Sequence, residues 1–286
     1  MVRCVYFPYP TPRVTDETRN AISGYEPRYG WFFDDIREDI EEFASARRIS
    51  RARALSEATG QRLADRQYPM YFTGDLDAQF VLVHLNPKQA DDAAETVFPV
   101  RTFEQYFDVH RNWGARMYGS DGYRKFKSRF DRKQVRFLRP FNVIDFGPDD
   151  SEDGLLRNLE RVVDDKLQLE LVPYGSDTFN ARAFAVPEVK AHFQRVLRVI
   201  AATNRKYVLF CGAVFGPLIG DSVTKTHRFN LKRKDGALER ASSEFSNLSI
   251  PYEGRRISAG WCRSWARQGI PMESYAGEVI SRYGSD

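Results

Sequence analysis

Short apolar strands alternating with amphipathic helices predict an α/β fold. The expected form is a three-layer α/β/α sandwich around a mainly parallel central sheet. Three stretches carry that expectation. Phe80–Val83 and Tyr207–Cys211 are unbroken apolar runs of strand length, and Leu167–Val172 sets Gln168 and Glu170 between apolar neighbours. Each run stops at turn-forming residues: Asn86-Pro87, Pro173-Tyr-Gly-Ser176 and Gly212. Unbroken apolar runs suit strands covered on both faces, as in parallel sheets.

Taken in order, residues 1–30 are rich in Pro, Gly and Tyr and read as an irregular arm. A helix follows, because Phe33, Ile36, Ile40 and Phe43 recur at spacings of three and four. A second helix is expected over Ser50–Arg66, leading to the strand at Phe80. Residues 1–75 thus form an N-terminal arm and helical extension, and 76–286 the α/β domain. Beyond Pro87, helices are expected over Thr102–Tyr118 and Tyr123–Arg132, and a short strand at Phe141–Phe146. Another helix spans Leu155–Asp165. Pro187 starts the next one, at the first-turn position that tolerates proline. The helix after Gly212 ends at Gly220, and residues 222–243 read as a basic loop. Strands at Phe245–Pro251 and Arg256–Ala259 and a helix over about Ser264–Tyr283, with a candidate break at Gly269-Ile-Pro271, complete the chain.

Composition narrows the function classes. No stretch approaches the roughly 18 uninterrupted apolar residues that a membrane span requires. The opening MVRCVYFPYP lacks the apolar core of a signal peptide. Cys4, Cys211 and Cys262 are too scattered for a zinc or iron–sulfur pattern, so no metal or cofactor is expected. Reduced thiols in a cytoplasmic protein are the plain reading. Oligomeric state is not legible.

The net charge of +4 says little, but its distribution says more. Arg124, Lys125, Lys127, Arg129, Arg132 and Lys133 crowd one stretch, interleaved with Tyr123, Phe126 and Phe130. A second basic run spans Lys225–Lys234. Such stretches suit phosphate-backbone contact with base stacking, or a solvated helix face whose aromatics turn inward.

The candidate site lies at the first strand end. In open α/β sheets ligands bind outside the carboxyl ends of the strands. Asn86 falls there and is read as catalytic, as a base-edge contact, or as an Asx cap of the following loop. His84 shares its side of the strand. Pro87 and Lys88 continue the loop. Tyr174 and Ser176 end the second strand run, and Trp261 and Arg263 belong to a dense aromatic–cation cluster near the C-terminus. No Gly-x-Ser-x-Gly elbow, phosphate loop or dinucleotide fingerprint occurs.

Three stretches resemble the uracil-DNA glycosylase superfamily. Val83–Gln89, VHLNPKQ, is similar to the Gly-Ile-Asn-Pro-Gly motif of its mismatch-specific branch. Leu167–Ser176 looks like the family strand leading to the pocket loop, and Val208–Gly212 like its penultimate strand. The resemblance implies a four-stranded parallel sheet between helices, with a strand-end pocket for a flipped-out base. It implies DNA as partner, a DNA-repair hydrolase activity, and Asn86 as the residue that positions water or steadies the reacting sugar. Phe98 and Tyr174 are candidates for stacking on the base. The family's last strand ends in a His-Pro-Ser type motif; Arg255–Gly269 contains no His. The alternatives are a non-catalytic nucleotide or nucleic-acid binder on that fold, and a small-molecule enzyme acting on a nucleoside-like or phosphorylated substrate.

Overall fold

In a computed structural model, residues 13–87, 100–119, 128–177, 187–233 and 235–285 are described. The three apolar runs form adjacent strands. β1 is Phe72–Gly74, β2 Phe80–His84, β3 Leu167–Glu170 and β4 Tyr207–Cys211; β5 is Val223–Lys232, β6 Leu238–Tyr252 and β7 Arg255–Cys262. Among the described residues they join in one seven-stranded sheet of order β1-β3-β2-β4-β7-β6-β5.

The centre of the sheet is parallel. β2 runs parallel to β3 on one side and to β4 on the other, and β4 runs parallel to β7. The margins are antiparallel: β1 against β3, β6 against β7, and β5 against β6. The sheet is therefore mixed, and the expected mainly parallel sheet is its central part. Burial explains the division. β2, β3 and β4 are covered on both faces, whereas β5 alternates exposed and half-buried positions.

Helices cover both faces. Among the described residues they are α1 (Asp16–Ala46), α2 (Ser50–Thr59), α3 (Phe103–Arg111), α4 (Trp113–Tyr118), α5 (Arg129–Leu138), α6 (Glu152–Asp164), α7 (Pro187–Ala201), α8 (Gly216–Ile219) and α9 (Met272–Arg282). α7 lies over the face carrying Phe210, whose ring is 5.6 Å from Phe193. α5 lies over the opposite face, where Gln134 meets Gln168.

Four expectations are corrected. Residues 16–30 are the first half of α1, not an irregular arm: Thr15 caps the helix by accepting from the Thr18 amide at 3.1 Å, and Pro27 sits within it. Burying Tyr29, Phe32 and Phe33 on one stripe outweighs the local cost of Gly24, Pro27 and Gly30. Residues 223–232 are β5 and 238–243 the start of β6, paired as a hairpin instead of a loop. Phe141–Phe146 forms no strand; a 3-10 turn over Arg139–Phe141 occupies its start. The last helix starts at Met272, at the break expected over Gly269–Pro271, and residues 264–270 before it are not helical.

Smaller shifts follow local chemistry. α2 ends at Thr59 because Gly60 adopts φ 64. The helix expected over Thr102–Tyr118 breaks at Asn112, with a Thr102–Gln105 capping box at its start. The expected Tyr123–Arg132 helix is seen from Arg129 onward, and residues 123–127 lie outside the described residues. The β6–β7 turn places Glu253 at φ 44 and Gly254 at φ 76, the two-residue geometry that matches strand twist. The proposed boundary near residue 75 leaves β1 on its N-terminal side although β1 pairs with β3.

Candidate functional site

The strand order creates a crevice. From β2 the chain crosses to β3 on one side; from β4 it runs to β5 at the far edge on the other and returns through β6 to β7. The loops leaving the carboxyl ends of β2 and β4 therefore diverge, the arrangement at which open α/β sheets place a ligand crevice. His84, Leu85 and Asn86 stand on one side of it, and Cys211 and Gly212 on the other.

Asn86 is held with a defined orientation. Its Nδ2 donates to the Tyr174 carbonyl at 3.2 Å and to Ser176 Oγ at 2.7 Å. A carbonyl oxygen cannot accept from Oδ1, so the Tyr174 contact fixes which end of the amide is nitrogen. Oδ1 accepts from no described residue, and Asn86 is partly exposed. The Ser176 amide donates to the Pro87 carbonyl at 3.1 Å, which ties the β2 and β3 loops together.

The fit of that loop is set from the N-terminal helix. Tyr174 is buried, and its hydroxyl donates to Asp39 of α1 at 2.8 Å. Tyr71 donates to the same carboxylate oxygen at 2.6 Å. Tyr174 thus helps hold Asn86 through its backbone. Its ring belongs to the core beside His192 and offers no face to the crevice.

His84 opens a row of buried polar groups. It pairs in register with Glu170, Cys211 pairs with Cys262, and Val83 pairs with Phe210. Glu170, His84, Cys211 and Cys262 therefore close the four parallel strands in one line beneath α5. Burial costs each charge, and it pushes His84 down to about 3, Glu170 up to about 8 and Cys262 up to about 12. His84 is a neutral imidazole at physiological pH, with Nε2 unpartnered by any described residue. The thiols are protonated.

Lys166 supports the row from below. It is wholly buried, and burial pulls its ammonium down to about 8. Its Nζ donates to Gln168 Oε1 at 3.3 Å, and Gln168 Nε2 donates to Glu170 Oε1 at 2.7 Å. Gln134 of α5 also donates to Gln168, at 3.2 Å. The alternation of Lys166, Gln168 and Glu170 in an apolar stretch was the sequence signal of this polar row; Gln134 and His84 join it from distant segments.

The remaining candidates separate. Trp261 lies on the opposite face from Cys262, donates through Nε1 to the Gly212 carbonyl at 2.7 Å, and packs on the turn after β4. Arg263 pairs with Glu244 at 3.0 Å and lies 5.7 Å over the Trp261 ring. Lys133 instead turns inward to the Trp265 carbonyl, half-buried, where its charge adds to burial in holding His84 neutral. Arg129 is exposed and Arg132 half-buried on α5, where both line a cleft of about 580 Å³ with Arg136 and Arg233. Lys88, Phe98, Arg124, Lys125 and Lys127 lie outside the described residues.

One residue was missed as a site candidate. Phe130 at the start of α5 is 41% exposed, and its ring meets His84 edge-on at 5.1 Å. A large exposed aromatic beside a strand-end histidine presents an apolar face at the mouth of the crevice. Its signal was the aromatic interleaving of the basic stretch.

Among the described residues no group of three His, Cys, Asp or Glu side chains is arranged to hold a metal, and no helix is long and apolar enough to cross a membrane. No family model, curated protein or solved structure matches the chain.

Proposed function

We propose that this chain acts on nucleic acid in the manner of a uracil-DNA glycosylase, receiving a flipped-out base in the crevice between β2 and β4. The observation that carries the reading is Asn86: a partly exposed amide at the strand-order switch point, with its nitrogen engaged and its oxygen unpartnered among the described residues. Such an oxygen accepts from a base N–H or orients an attacking water. In the hydrolysis, a water oxygen bonds to the sugar carbon, the N-glycosidic electron pair leaves with the base, and the proton the water sheds ends on the departed base. The neutral imidazole of His84 and the Phe130 face supply a polar and an apolar wall for that base. The parallel four-stranded centre, the Asn-Pro junction and the helices on both faces support the same reading.

Single-turnover base release from oligonucleotides carrying uracil, hypoxanthine or alkylated bases tests it. Release by the natural protein, reduced about 10²-fold in Asn86→Ala, is the expected outcome. Absence of release from every substrate removes the catalytic reading.

A second reading, a nucleic-acid binder without base excision, is favoured by the end of β7. Cys262 there is buried and protonated, and Arg263 is committed to Glu244. Salt-dependent oligonucleotide binding without release is its expected signature.

A further inference from the structure

A second arginine-rich cleft borders the same strand ends, on the other side of the sheet from α5. It measures about 590 Å³ and is lined by Arg48, Arg53, Arg62 and Arg66 together with Ser56 and Gln67. Two acidic side chains, Glu57 and Asp65, also line it, so cations exceed anions. Arg53 is paired with Glu57 at 3.2 Å. Arg48 and Arg66 are exposed and form no ion pair among the described residues.

Arg51 shows what an internal arginine looks like here. It is shared among Asp35, Glu38 and Asp39 of α1 and ties the two helices together. Arg48 and Arg66 have no comparable structural task. Holding several guanidinium groups on one cleft costs repulsion that an anion relieves.

The cleft is mounted on folded backbone. The Ile49 amide donates to the Asp65 carbonyl at 2.8 Å, and the Leu63 amide to Ser56 Oγ at 3.1 Å. These bonds fold residues 60–66 back onto α2. The Ala64 amide donates to the Gly175 carbonyl at 2.8 Å. Gly175 lies between Tyr174 and Ser176, the two residues that hold Asn86. The arginines and the candidate site thus share one hydrogen-bonded frame.

Resting on the nucleic-acid reading above, we infer that the Arg48–Arg66 cleft is a phosphodiester-backbone site that anchors a nucleic-acid strand beside the crevice. Guanidinium groups match phosphate oxygens in a bidentate fork. α2 contacts α7 on one face of the sheet, and α5 covers the other. With Arg129 and Arg136 on α5, the crevice has exposed arginines on both sides. One strand crossing the strand ends meets both sets, so the N-terminal helices belong to the binding surface.

The test is fluorescence-anisotropy titration of a labelled single-stranded oligonucleotide over a salt series. The natural protein is compared with Arg48→Ala/Arg66→Ala and with Arg129→Ala/Arg136→Ala. The first pair is expected to weaken binding about tenfold at low salt and to flatten the log–log salt slope by about one for each phosphate that is no longer neutralised. An unchanged affinity and slope in that pair, with loss in the α5 pair, overturns this inference and leaves the nucleic-acid reading standing. No binding by the natural protein overturns both. Equal competition by polyglutamate of matched charge overturns the assignment to nucleic acid. Charge reversal, Arg48→Glu/Arg66→Glu, is expected to deepen the loss. Weakening that emerges only when all four arginines are replaced together also counts against a distinct anchor.

Discussion

Glu170 and Lys166 sit where a charged group is costly, and both respond in the direction that sheds charge. The Glu170 carboxyl rises to about 8 from an ordinary value of 4.5 because of burial, with Gln168 and Lys166 opposing the rise. Between those values the folded protein keeps a proton that the unfolded chain releases. Stability from this group is therefore lost as pH rises from about 4.5 towards 8. Glu170→Gln holds the neutral form at every pH. Its stability relative to the natural protein is expected to improve across that window, by at most about 1.4 kcal/mol per unit, less what Lys166 recovers. Urea denaturation at a series of pH values measures the gap, and a gap that does not change with pH refutes the account. Asn86 was legible at this scale because Asn-Pro after an apolar run marks a strand end. Its orientation was not, since Tyr174 and Ser176 lie far along the chain, at separations of 88 and 90.

Elements followed the sequence where burial is two-sided and departed where it is not. β2 and β4 were legible as apolar runs because neighbours cover both faces. The β5–β6 hairpin read as a basic loop because its lysines and arginines mask a short alternation, in which Phe229 and Leu231 are the apolar inward positions before Lys232. α1 was half-hidden by Pro27 and two glycines, whose local preferences yield to the core beneath. Close approach also shapes the sheet. A Cβ at Gly260 of β7 would lie 2.5 Å from a Phe245 ring carbon and 2.6 Å from Leu209 Cδ2. Both neighbours are fully buried side chains, so neither has room to move. Gly260→Ala is expected to cost about 1–3 kcal/mol, read as a lowered urea midpoint with an unchanged m-value. A midpoint within error of the natural protein contradicts the packing described.

At the scale of the whole molecule, the central strands and the hairpin should differ in stability. β2 and β4 lie between two helical layers, whereas the part of the β5–β6 hairpin before Phe245 pairs with no third strand among the described residues and rests on α9 through Phe229. Amides of Val81–Val83 and Leu209–Phe210 are expected to exchange most slowly, and those of residues 228–242 to exchange early. Hydrogen exchange followed by mass spectrometry resolves the two; equal protection would mean that the hairpin unfolds only with the core. The candidate site spans several of these units: β2 gives Asn86, the β3 loop gives its partners, and α1 gives the Asp39 carboxylate that holds Tyr174. The sequence by itself determined the α/β class, the central strands and the place of Asn86, because apolar runs and proline breaks are local features. Tertiary structure alone decided strand order, and with it the position of the crevice. It also decided the burial of His84 and the placing of arginines in two clefts, one beside α5 and one beside α2, because those depend on which distant segments become neighbours.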